Sequence, residues 1–491
     1  MSLLKKLFLI CIAILLVACQ PQAAGVLVPV PAASTPTSTA APTYTPFPKR
    51  PEYNPGELVD YVAQAGDTLP ALAAHFNTSI AKIRAANEQI PADATTMPPG
   101  MPMKIPIYYL PFWGTQVQIV PDSQYVNGPA AVGFDTSAFV SSHPGWLKDY
   151  RAYVEGNNHT GAEIVDIVAT NYSISPRFLL ALLEYQTGAL SQPVPPSGSY
   201  PLGEINYYYS GLYMQLIWAS NILNVGYYGW WSGDLTQFLH PDGTIERPDP
   251  WQTAASVAFQ YYYSRSASPE EYARAVGPDG LRRTYQSLFG DAWATDKSEK
   301  PFIQVSLQQP TLALPFLDGE TWNFTGGPHS GWGTAELQPW SAIDFAPPAN
   351  VGGCVPSERP VVAMADGLVV RSETGVVMED LDGDGDERTG WVILYLHIAT
   401  VGRVSVGRTL KKGDTIGYPS CEGGEATGTH VHIARKYDGQ WIPADGVLPF
   451  NLEGWISHFG SAAYQGTLTR GTQTVTACTC SDAPSHIKGG K

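Results

Sequence analysis

The sequence predicts a multidomain α+β protein, in which a small βααβ unit, a helical middle domain and an all-β antiparallel domain follow one another. A chain of 491 residues is too long for one ordinary hydrophobic core. Its composition and hydrophobic periodicity also change along the chain. A Pro/Thr/Ala-rich stretch is followed by helical periodicity and then by short β-type runs separated by Gly, Asp and Pro. The length and these changes in composition and periodicity together predict separate domains in that order.

The composition limits the class of partner. The formal net charge is −15 at pH 7, and 44% of the residues are hydrophobic. A chain this acidic is repelled by a phosphate backbone, so nucleic acid is not an expected partner. The hydrophobic fraction is typical of globular domains rather than of disordered chains.

Residues 1–19 have the pattern of an export signal. Lys5 and Lys6 precede an apolar run, Leu7–Val17, which is too short to span a bilayer comfortably. The run ends in Leu-Val-Ala-Cys19, which resembles the lipobox of bacterial lipoproteins, and the resemblance implies cleavage before Cys19 and its acylation. We therefore expect an exported protein that is lipid-anchored to the cell membrane and faces the cell wall. An ordinary secretory signal that happens to contain a cysteine is the alternative.

Residues 20–57 form a Pro/Thr/Ala-rich linker with no charged residue before Lys49. Such a composition cannot bury a core, and we expect an extended spacer. A spacer of this kind would let an anchored domain reach into a cell wall.

Residues 58–108 predict the βααβ unit. A strand is followed by two helices, Leu69–Phe76 and Ser79–Asn87, and by a returning strand, and either Asp67 or Thr68 can cap the first helix. The elements V-x-x-x-G-D-T-L, I-x-x-I-R-x-A-N and P-G-x-x-x-x-I-P occur in this order and resemble a LysM module. The resemblance implies binding of glycans that contain N-acetylglucosamine.

Residues 125–298 predict a helical domain. Ile164–Thr170 and Phe178–Tyr185 carry apolar residues at helical spacing. The second segment resembles the helix that bears the catalytic acid of lysozyme-like lytic transglycosylases, but Gln186 stands at the position of that acid. Glu184, two residues earlier, would point elsewhere on a helix. We expect a degenerate lysozyme-like domain with a structural or glycan-holding role rather than a glycosidase.

Three aromatic runs mark the same domain, at residues 207–209, 227–231 and 261–263. Core packing is the expected use of these side chains, and stacking on sugar rings is the alternative.

Residues 301–460 predict an all-β antiparallel domain. The clearest strands are Val361–Ala365, Gly367–Val370, Gly375–Met378, Val392–Leu396 and Val431–Ala434. In His430-Val431-His432 the alternation of a strand places both imidazoles on one face. A hydrolytic zinc site needs about three protein ligands and one open position, and imidazoles with one carboxylate suit it.

Four elements of this domain occur in a fixed order: Gly-Gly-Pro-His329-Ser, Ser-Ala-Ile-Asp344, Leu-Tyr-Leu-His397 and His430-Val-His432. Together they resemble the lysostaphin-type metallopeptidases, also called the LytM or β-lytic family, which cut peptide bonds in peptidoglycan. The resemblance implies that Asp344 and His432 bind zinc and that His397 and His430 are catalytic.

The third zinc ligand departs from the commoner family pattern. That pattern has a histidine four residues before the aspartate, where this chain has Trp340. The β-lytic subgroup instead uses a histidine further upstream in a G-G-x-H-S/T context, and His329 lies in that context. We therefore assign His329 as the third ligand.

The resemblance implies a zinc endopeptidase in which His430 takes a proton from water and His397, as an N–H donor, stabilises the oxyanion. Peptidoglycan is the expected partner, with its glycan bound by the LysM module and its peptide by the peptidase domain. Two alternatives stay open: a catalytically inactive LysM/LytM lipoprotein that regulates cell-wall amidases, and a glycan-binding scaffold.

Asp380, Asp382 and Asp384 begin a loop that resembles the opening half of an EF-hand, but Trp391 stands where the bidentate glutamate is expected. We expect an acidic turn between two strands, with a calcium site as the alternative.

The cysteines beyond the leader suggest disulfides in an exported protein. Cys354 and Cys421 are the candidate pair within the β domain, although the sequence leaves their pairing with Cys478 and Cys480 open. The last segment, 461–491, is expected to be a C-terminal tail.

Overall fold

The computed structural model describes residues 50–298, 303, 306–480 and 482–490. The predicted signal peptide at 1–19, its lipidation site Cys19 and most of the 20–57 linker lie outside the described residues. Within the described part of the chain, no helix combines the length and apolar character needed to cross a bilayer.

The N-terminal βααβ unit forms as predicted. Its elements are β1 (Glu57–Val62), α1 (Leu69–His75), α2 (Ile80–Ala86) and β2 (Pro102–Ile107), with β1 and β2 paired antiparallel. Thr68 caps α1, because its hydroxyl accepts a hydrogen bond from the backbone N–H of Ala71. The Asp67 carboxylate instead accepts from the Tyr61 hydroxyl at 2.7 Å.

This unit packs against the helical domain through α1. The His75 ring stacks on the Trp230 ring, with centroids 3.5 Å apart, and its Nε2–H donates to the Trp230 carbonyl at 2.9 Å. Burial lowers the pKa of His75 to about 3, so this imidazole is neutral at physiological pH. The unit thus belongs to the same compact body as the two larger domains.

The helical domain has the two predicted helices, with wider bounds. Its helices are α3 (Asp122–Tyr125), α4 (Thr136–Ser141), α5 (Gly161–Tyr172), α6 (Pro176–Thr187), α7 (Leu212–Ser232), α8 (Ala254–Ser264), α9 (Pro269–Ala275), α10 (Leu281–Phe289) and α11 (Ala292–Ser298). Two hairpins pair β3 (Arg151–Val154) with β4 (Asn157–Thr160), and β5 (Phe238–Leu239) with β6 (Ile245–Glu246). A capping box between Thr160 and Glu163 starts α5.

The residues at and near the expected catalytic-acid position have structural partners. The Tyr262 hydroxyl donates to Gln186 Oε1 at 2.8 Å. The Glu184 carboxylate accepts from the backbone N–H groups of Leu190 and Ser191 at 2.7 and 3.2 Å. These contacts stabilise the end of α6 and the turn after it.

An antiparallel sheet organises the C-terminal domain. Its strands, and those of two smaller sheets, are β7 (Thr321–Ser330), β8 (Trp340–Ala346), β9 (Val361–Val362), β10 (Gly367–Glu373), β11 (Gly375–Asp380), β12 (Trp391–Ile398), β13 (Thr409–Leu410), β14 (Thr415–Gly417), β15 (Val431–Tyr437), β16 (Gln440–Trp441), β17 (Asn451–Leu452), β18 (Trp455–Phe459), β19 (Gly466–Arg470), β20 (Gln473–Thr476) and β21 (His486–Lys488). The main sheet has the order β13–β10–β11–β12–β15–β8–β7–β21, with β16 beside β15. Each predicted strand has a counterpart here.

Strand alternation divides the side chains of this sheet between two cores. On β8, Ile343 points into the core of the β domain, whereas Ala342 points into the core of the helical domain, and Ala434 on β15 does the same. The helical domain therefore covers one face of the sheet. Asp344 and His432 lie two residues from Ala342 and Ala434, so they face the same side.

The segment predicted as a C-terminal tail, 461–491, is part of the fold, which corrects that boundary. Strands β19 and β20 extend the small sheet of β17 and β18, and β21 pairs with β7 at residues 321–323. Strand β7 would otherwise be an edge with unpaired backbone groups, and β21 satisfies those groups.

Candidate active site

Four neighbouring strands bring the predicted site residues together. His329 lies near the end of β7, Asp344 on β8, His432 on β15 and His397 near the end of β12, while His430 immediately precedes β15. In the register of the sheet, His432 is opposite Asp344 on one side and Leu396 on the other. Adjacent strands therefore place side chains that are distant in sequence within contact distance.

His329, Asp344 and His432 form a buried triangle. His329 Nε2 lies 3.0 Å from His432 Nδ1 and 3.4 Å from Asp344 Oδ1, and His432 Nδ1 lies 3.3 Å from the same oxygen. All three side chains are buried. Four-coordinate zinc with bonds of about 2.0–2.1 Å separates its ligand atoms by about 3.3 Å. The spacing thus suits a zinc ion.

The hydrogen bonds of the two rings also fit a cation. His329 Nδ1–H donates to the Gly327 carbonyl at 2.9 Å, and His432 Nε2–H donates to the Gly331 carbonyl at 3.2 Å. Because a carbonyl only accepts, the nitrogens that face each other carry lone pairs in the neutral rings. Burial lowers the pKa of His329 to about 4, which keeps this ring neutral. Asp344 Oδ1 is buried without a hydrogen-bond partner. Three atoms with free lone pairs, suited to bind a metal ion, therefore converge.

His397 and His430 form a second pair beside the triangle. Their ring centroids are 4.4 Å apart, and His430 Nε2 lies 3.9 Å from Asp344 Oδ2. His430 Nδ1–H donates to the Gly428 carbonyl at 2.8 Å, and His397 Nδ1–H donates to the Glu422 carbonyl at 2.9 Å. In the neutral form of either ring, Nε2 therefore keeps a lone pair. Burial, followed by the nearby imidazole of His430, lowers the pKa of His397 to about 3.

The segment 419–422 holds both of these histidines. The Ser420 backbone N–H donates to the His397 carbonyl at 2.7 Å, and the His430 N–H donates to the Ser420 carbonyl at 3.3 Å. His397 has a φ of +65°, a left-handed conformation that is strained for a residue with a side chain. The disulfide between Cys354 and Cys421, a pairing that the sequence left open, ties this segment to the stretch 352–355, which also lines the cleft.

Tyr464 is a site residue that sequence reasoning missed. Its ring stacks on His329, with centroids 4.2 Å apart and planes 25° apart, and it lines the same cleft. Its backbone carbonyl accepts from the Gly327 N–H at 2.8 Å, which fixes this segment beside β7. Burial, and then the charge of Asp344, raises the pKa of Tyr464 to about 12, so its hydroxyl keeps its proton at neutral pH. No motif around Tyr464 marks it in the sequence.

The histidines open into a cleft of about 1640 Å³. Small residues form much of its wall, among them Gly352, Gly353, Gly424, Ala426 and Gly428. All of its lining residues lie between Thr325 and Cys480. The cleft is thus lined by the β domain, although the helical domain packs on the same face of the sheet.

The acidic loop lies between β11 and β12, as predicted. Ligand atoms of Asp380, Asp382 and Asp384 lie within 4.8 Å of one another. The Asp380 carboxylate already accepts from the backbone N–H groups of Asp382, Gly383 and Gly385, at 3.1, 3.2 and 2.9 Å. These bonds give the carboxylate a role in the predicted acidic turn, and calcium binding stays an untested alternative.

Matches to protein families fall on each of the three structural regions, the βααβ unit, the helical domain and the β domain. Residues 61–106 match the LysM domain, residues 118–302 match the family described as LasA, N-terminal domain, and residues 339–443 match peptidase family M23. His329 lies upstream of the last match, so its place in the site rests on the geometry above.

Individual relatives cover larger or smaller parts of the chain. Protease LasA of Pseudomonas aeruginosa (strain UCBPP-PA14) is 25% identical over 357 residues, which cover 69% of this chain and 78% of that protein. Beta-lytic metalloendopeptidase of Lysobacter enzymogenes is 26% identical over 136 residues, which cover 28% of this chain and 74% of that protein. The solved catalytic domain of lysostaphin from Staphylococcus simulans is 21% identical, with a TM-score of 0.19, and the match covers 26% of this chain and 89% of that one. The two family matches show that the chain carries a LytM-type M23 peptidase domain and an N-terminal LysM domain.

Proposed function

We propose that this chain is a zinc-dependent endopeptidase that hydrolyses peptide bonds in peptidoglycan cross-links. The observation that carries the proposal is the convergence of three bare donor atoms, from His329, Asp344 and His432, in a cleft that also holds His397 and His430. The match to peptidase family M23 and the similarity to Protease LasA support the same reaction class.

His329, Asp344 and His432 would hold the metal through Nε2, Oδ1 and Nδ1. A zinc ion there would supply Lewis acidity, which polarises the scissile carbonyl and acidifies the attacking water. The backbone carbonyls of Gly327 and Gly331 fix the two ring tautomers, so the rings are oriented before any ligand arrives.

His430 acts as the general base. Its Nδ1–H is engaged by the Gly428 carbonyl, so the lone pair of Nε2 is the atom that accepts a proton from water. The same nitrogen then delivers this proton to the leaving amine.

The role of His397 differs from the N–H donor expected from the resemblance. Its Nδ1–H already donates to the Glu422 carbonyl, and its lowered pKa keeps the ring neutral, so Nε2 has no hydrogen to give to an oxyanion. We assign it to orienting the attacking water through the lone pair of Nε2, while His430 takes the proton. The Tyr464 hydroxyl, which stays protonated, is the O–H donor that stabilises the developing negative charge.

The wider setting follows from the other segments of the chain. The LysM domain would bind the glycan of the cell wall while the cleft takes the peptide. Cleavage before Cys19 and its acylation would anchor the exported protein to the cell membrane, with the linker 20–57 spanning the gap.

Zinc analysis combined with mass spectrometry of digested peptidoglycan tests the proposal. We expect about one zinc per chain and release of peptide fragments. His329→Ala should lose the metal, whereas His430→Ala should keep the metal and lose the rate. His486→Ala, which removes an exposed imidazole on β21, is the matched control and should behave like the wild type.

Two results would oppose the proposal. Full zinc occupancy and activity in His329→Ala would remove this residue from the ligand set. A zinc-loaded wild-type protein that releases no fragments from peptidoglycan would favour the regulatory alternative.

A further inference from the structure

An aromatic loop before α7 is exposed to solvent. Ile205, Tyr207 and Tyr208 are 83%, 89% and 80% exposed. In the other two aromatic runs of this domain, Tyr227, Tyr228 and Tyr262 are buried, as expected for core packing. Exposed clusters of large aromatic side chains are uncommon on a soluble surface and mark sites of interaction.

The Gln215 side chain, which is fully buried, fixes the backbone of this loop through hydrogen bonds. Gln215 Oε1 accepts from the Leu202 N–H at 3.0 Å, and its Nε2 donates to the carbonyls of Glu204 and Tyr209 at 2.8 and 2.7 Å. A further bond closes the loop, from the backbone N–H of Gly211 to the carbonyl of Ser199 at 2.7 Å. The loop therefore presents its rings from a fixed backbone, which lowers the entropy lost when a ligand binds.

The hairpin of β3 and β4 carries a further exposed aromatic side chain, and the hairpin lies against the first turn of α7. Tyr153 on β3 is 71% exposed. The Leu212 N–H donates to the Tyr150 hydroxyl at 3.3 Å, and the Tyr213 hydroxyl donates to Glu155 at 2.6 Å. Both the hairpin and the loop thus lie against the first turn of α7. We call Tyr153, Ile205, Tyr207 and Tyr208 the tyrosine surface.

Helix α7 connects the tyrosine surface to the catalytic cleft. Asn221, about 13 Å along the helix axis from Leu212, accepts a hydrogen bond from the Thr334 N–H at 3.2 Å. Thr334 follows β7, three residues after Gly331, whose carbonyl accepts from His432. The tyrosine surface and the metal-binding triangle are therefore fixed relative to one another through one helix.

We propose that the tyrosine surface binds the glycan strand of peptidoglycan next to the peptide in the cleft. This inference rests on the proposed function for the identity of the substrate. Tyrosine offers a flat apolar face for a sugar ring and a hydroxyl for its polar groups, at a low cost in side-chain entropy. A bilayer is a poorer match, because anionic lipids attract clustered Lys and Arg. The hairpin and the loop that carry these rings instead include Glu155 and Glu204, and the chain has a net charge of −15.

Hydrogen exchange tests binding locally. The probe is the tetrasaccharide of N-acetylglucosamine, added to the full chain with Cys19→Ser so that no acyl anchor forms. We expect protection of residues 199–211 that is separate from any protection in the LysM domain. Tyr207→Ala/Tyr208→Ala should weaken the apparent affinity of this segment about tenfold, from the loss of two stacked rings. Tyr207→Phe/Tyr208→Phe keeps the rings and should retain most of the protection.

Turnover gives a second measurement with the same variants. On intact cell walls the double alanine variant should raise KM, while hydrolysis of a glycan-free stem peptide should stay unchanged. Unaltered exchange in residues 199–211 on adding the tetrasaccharide would overturn the proposal. Loss of binding to phosphatidylglycerol vesicles in the alanine variant, with glycan protection intact, would assign the surface to membranes instead.

The proposed peptidase function and the proposed glycan site can be refuted independently of each other. Exchange does not depend on cleavage, so glycan protection without peptide hydrolysis would oppose only the proposed function. Hydrolysis of the stem peptide without glycan protection would oppose only the tyrosine surface as a binding site.

Discussion

Gly326→Ala should detach one zinc ligand without unfolding the chain. Gly326 lies opposite Asp344 in the pairing of β7 with β8. A methyl group at this position would lie 2.3 Å from Asp344 Oδ2, 2.8 Å from Cγ and 3.0 Å from Cβ. The whole aspartate side chain must therefore move, by about 1 Å to reach ordinary van der Waals distance.

A shift of that size exceeds what a metal site tolerates. Ligand positions are held to about ±0.2 Å in functional sites. Displacing a ligand or its support typically weakens metal binding about 10–100-fold, and we expect at least that loss in Gly326→Ala. Activity should fall in parallel at limiting zinc and recover partly when zinc is added in excess.

Chelator competition gives the zinc affinity, and thermal unfolding of the metal-free chain reports the fold. Gly352→Ala is the matched control, because it adds the same methyl group to the same cleft, where no atom lies within 4 Å. Equal zinc affinity in the two variants would refute the assignment of Asp344 as a ligand. A large drop in the unfolding temperature of metal-free Gly326→Ala would show that the added methyl group displaces the backbone of β7 and β8 rather than the Asp344 side chain.

Two further predictions concern single side chains, Tyr464 in the cleft and His75 at the contact between the LysM and helical domains. Tyr464→Phe keeps the ring that stacks on His329, so zinc should be retained while kcat falls about 10²–10³-fold through loss of the oxyanion donor; an unchanged kcat would exclude that role. Burial depresses the pKa of His75 from 6.5 to about 3, so the folded state disfavours the protonated ring. The contribution of His75 to the free energy of unfolding is therefore complete above pH 6.5. It is lost as the pH falls from 6.5 towards 3, by up to about 3 kcal/mol at pH 4. Urea unfolding at pH 7 and pH 4 should show a smaller difference for His75→Gln, and equal differences would contradict the burial argument.

Local sequence patterns were sufficient to nominate much of the candidate site. The HxH spacing placed His430 and His432 on one face because strand alternation depends only on the residues of that strand. The same logic predicted β12 and β15, and the capped helices of the LysM domain needed only Thr68 and Ser79 at their starts. The resemblance to the LytM family then supplied Asp344 and, through the β-lytic context, His329.

Only the tertiary structure decided how distant segments combine. Tyr464 enters the site because the segment between β18 and β19 pairs with β7 at Gly327, and no local pattern encodes such a long-range contact. The neutral tautomer of His397 depends on the Glu422 carbonyl, which lies 25 residues away in sequence. Exposure of Tyr207 and burial of Tyr227 likewise depend on which surfaces meet. Periodicity is a property of one segment, whereas contacts between segments depend on the packing of the whole chain. This is why the sequence determined the strands and the candidate metal ligands but not the other residues that complete the cleft.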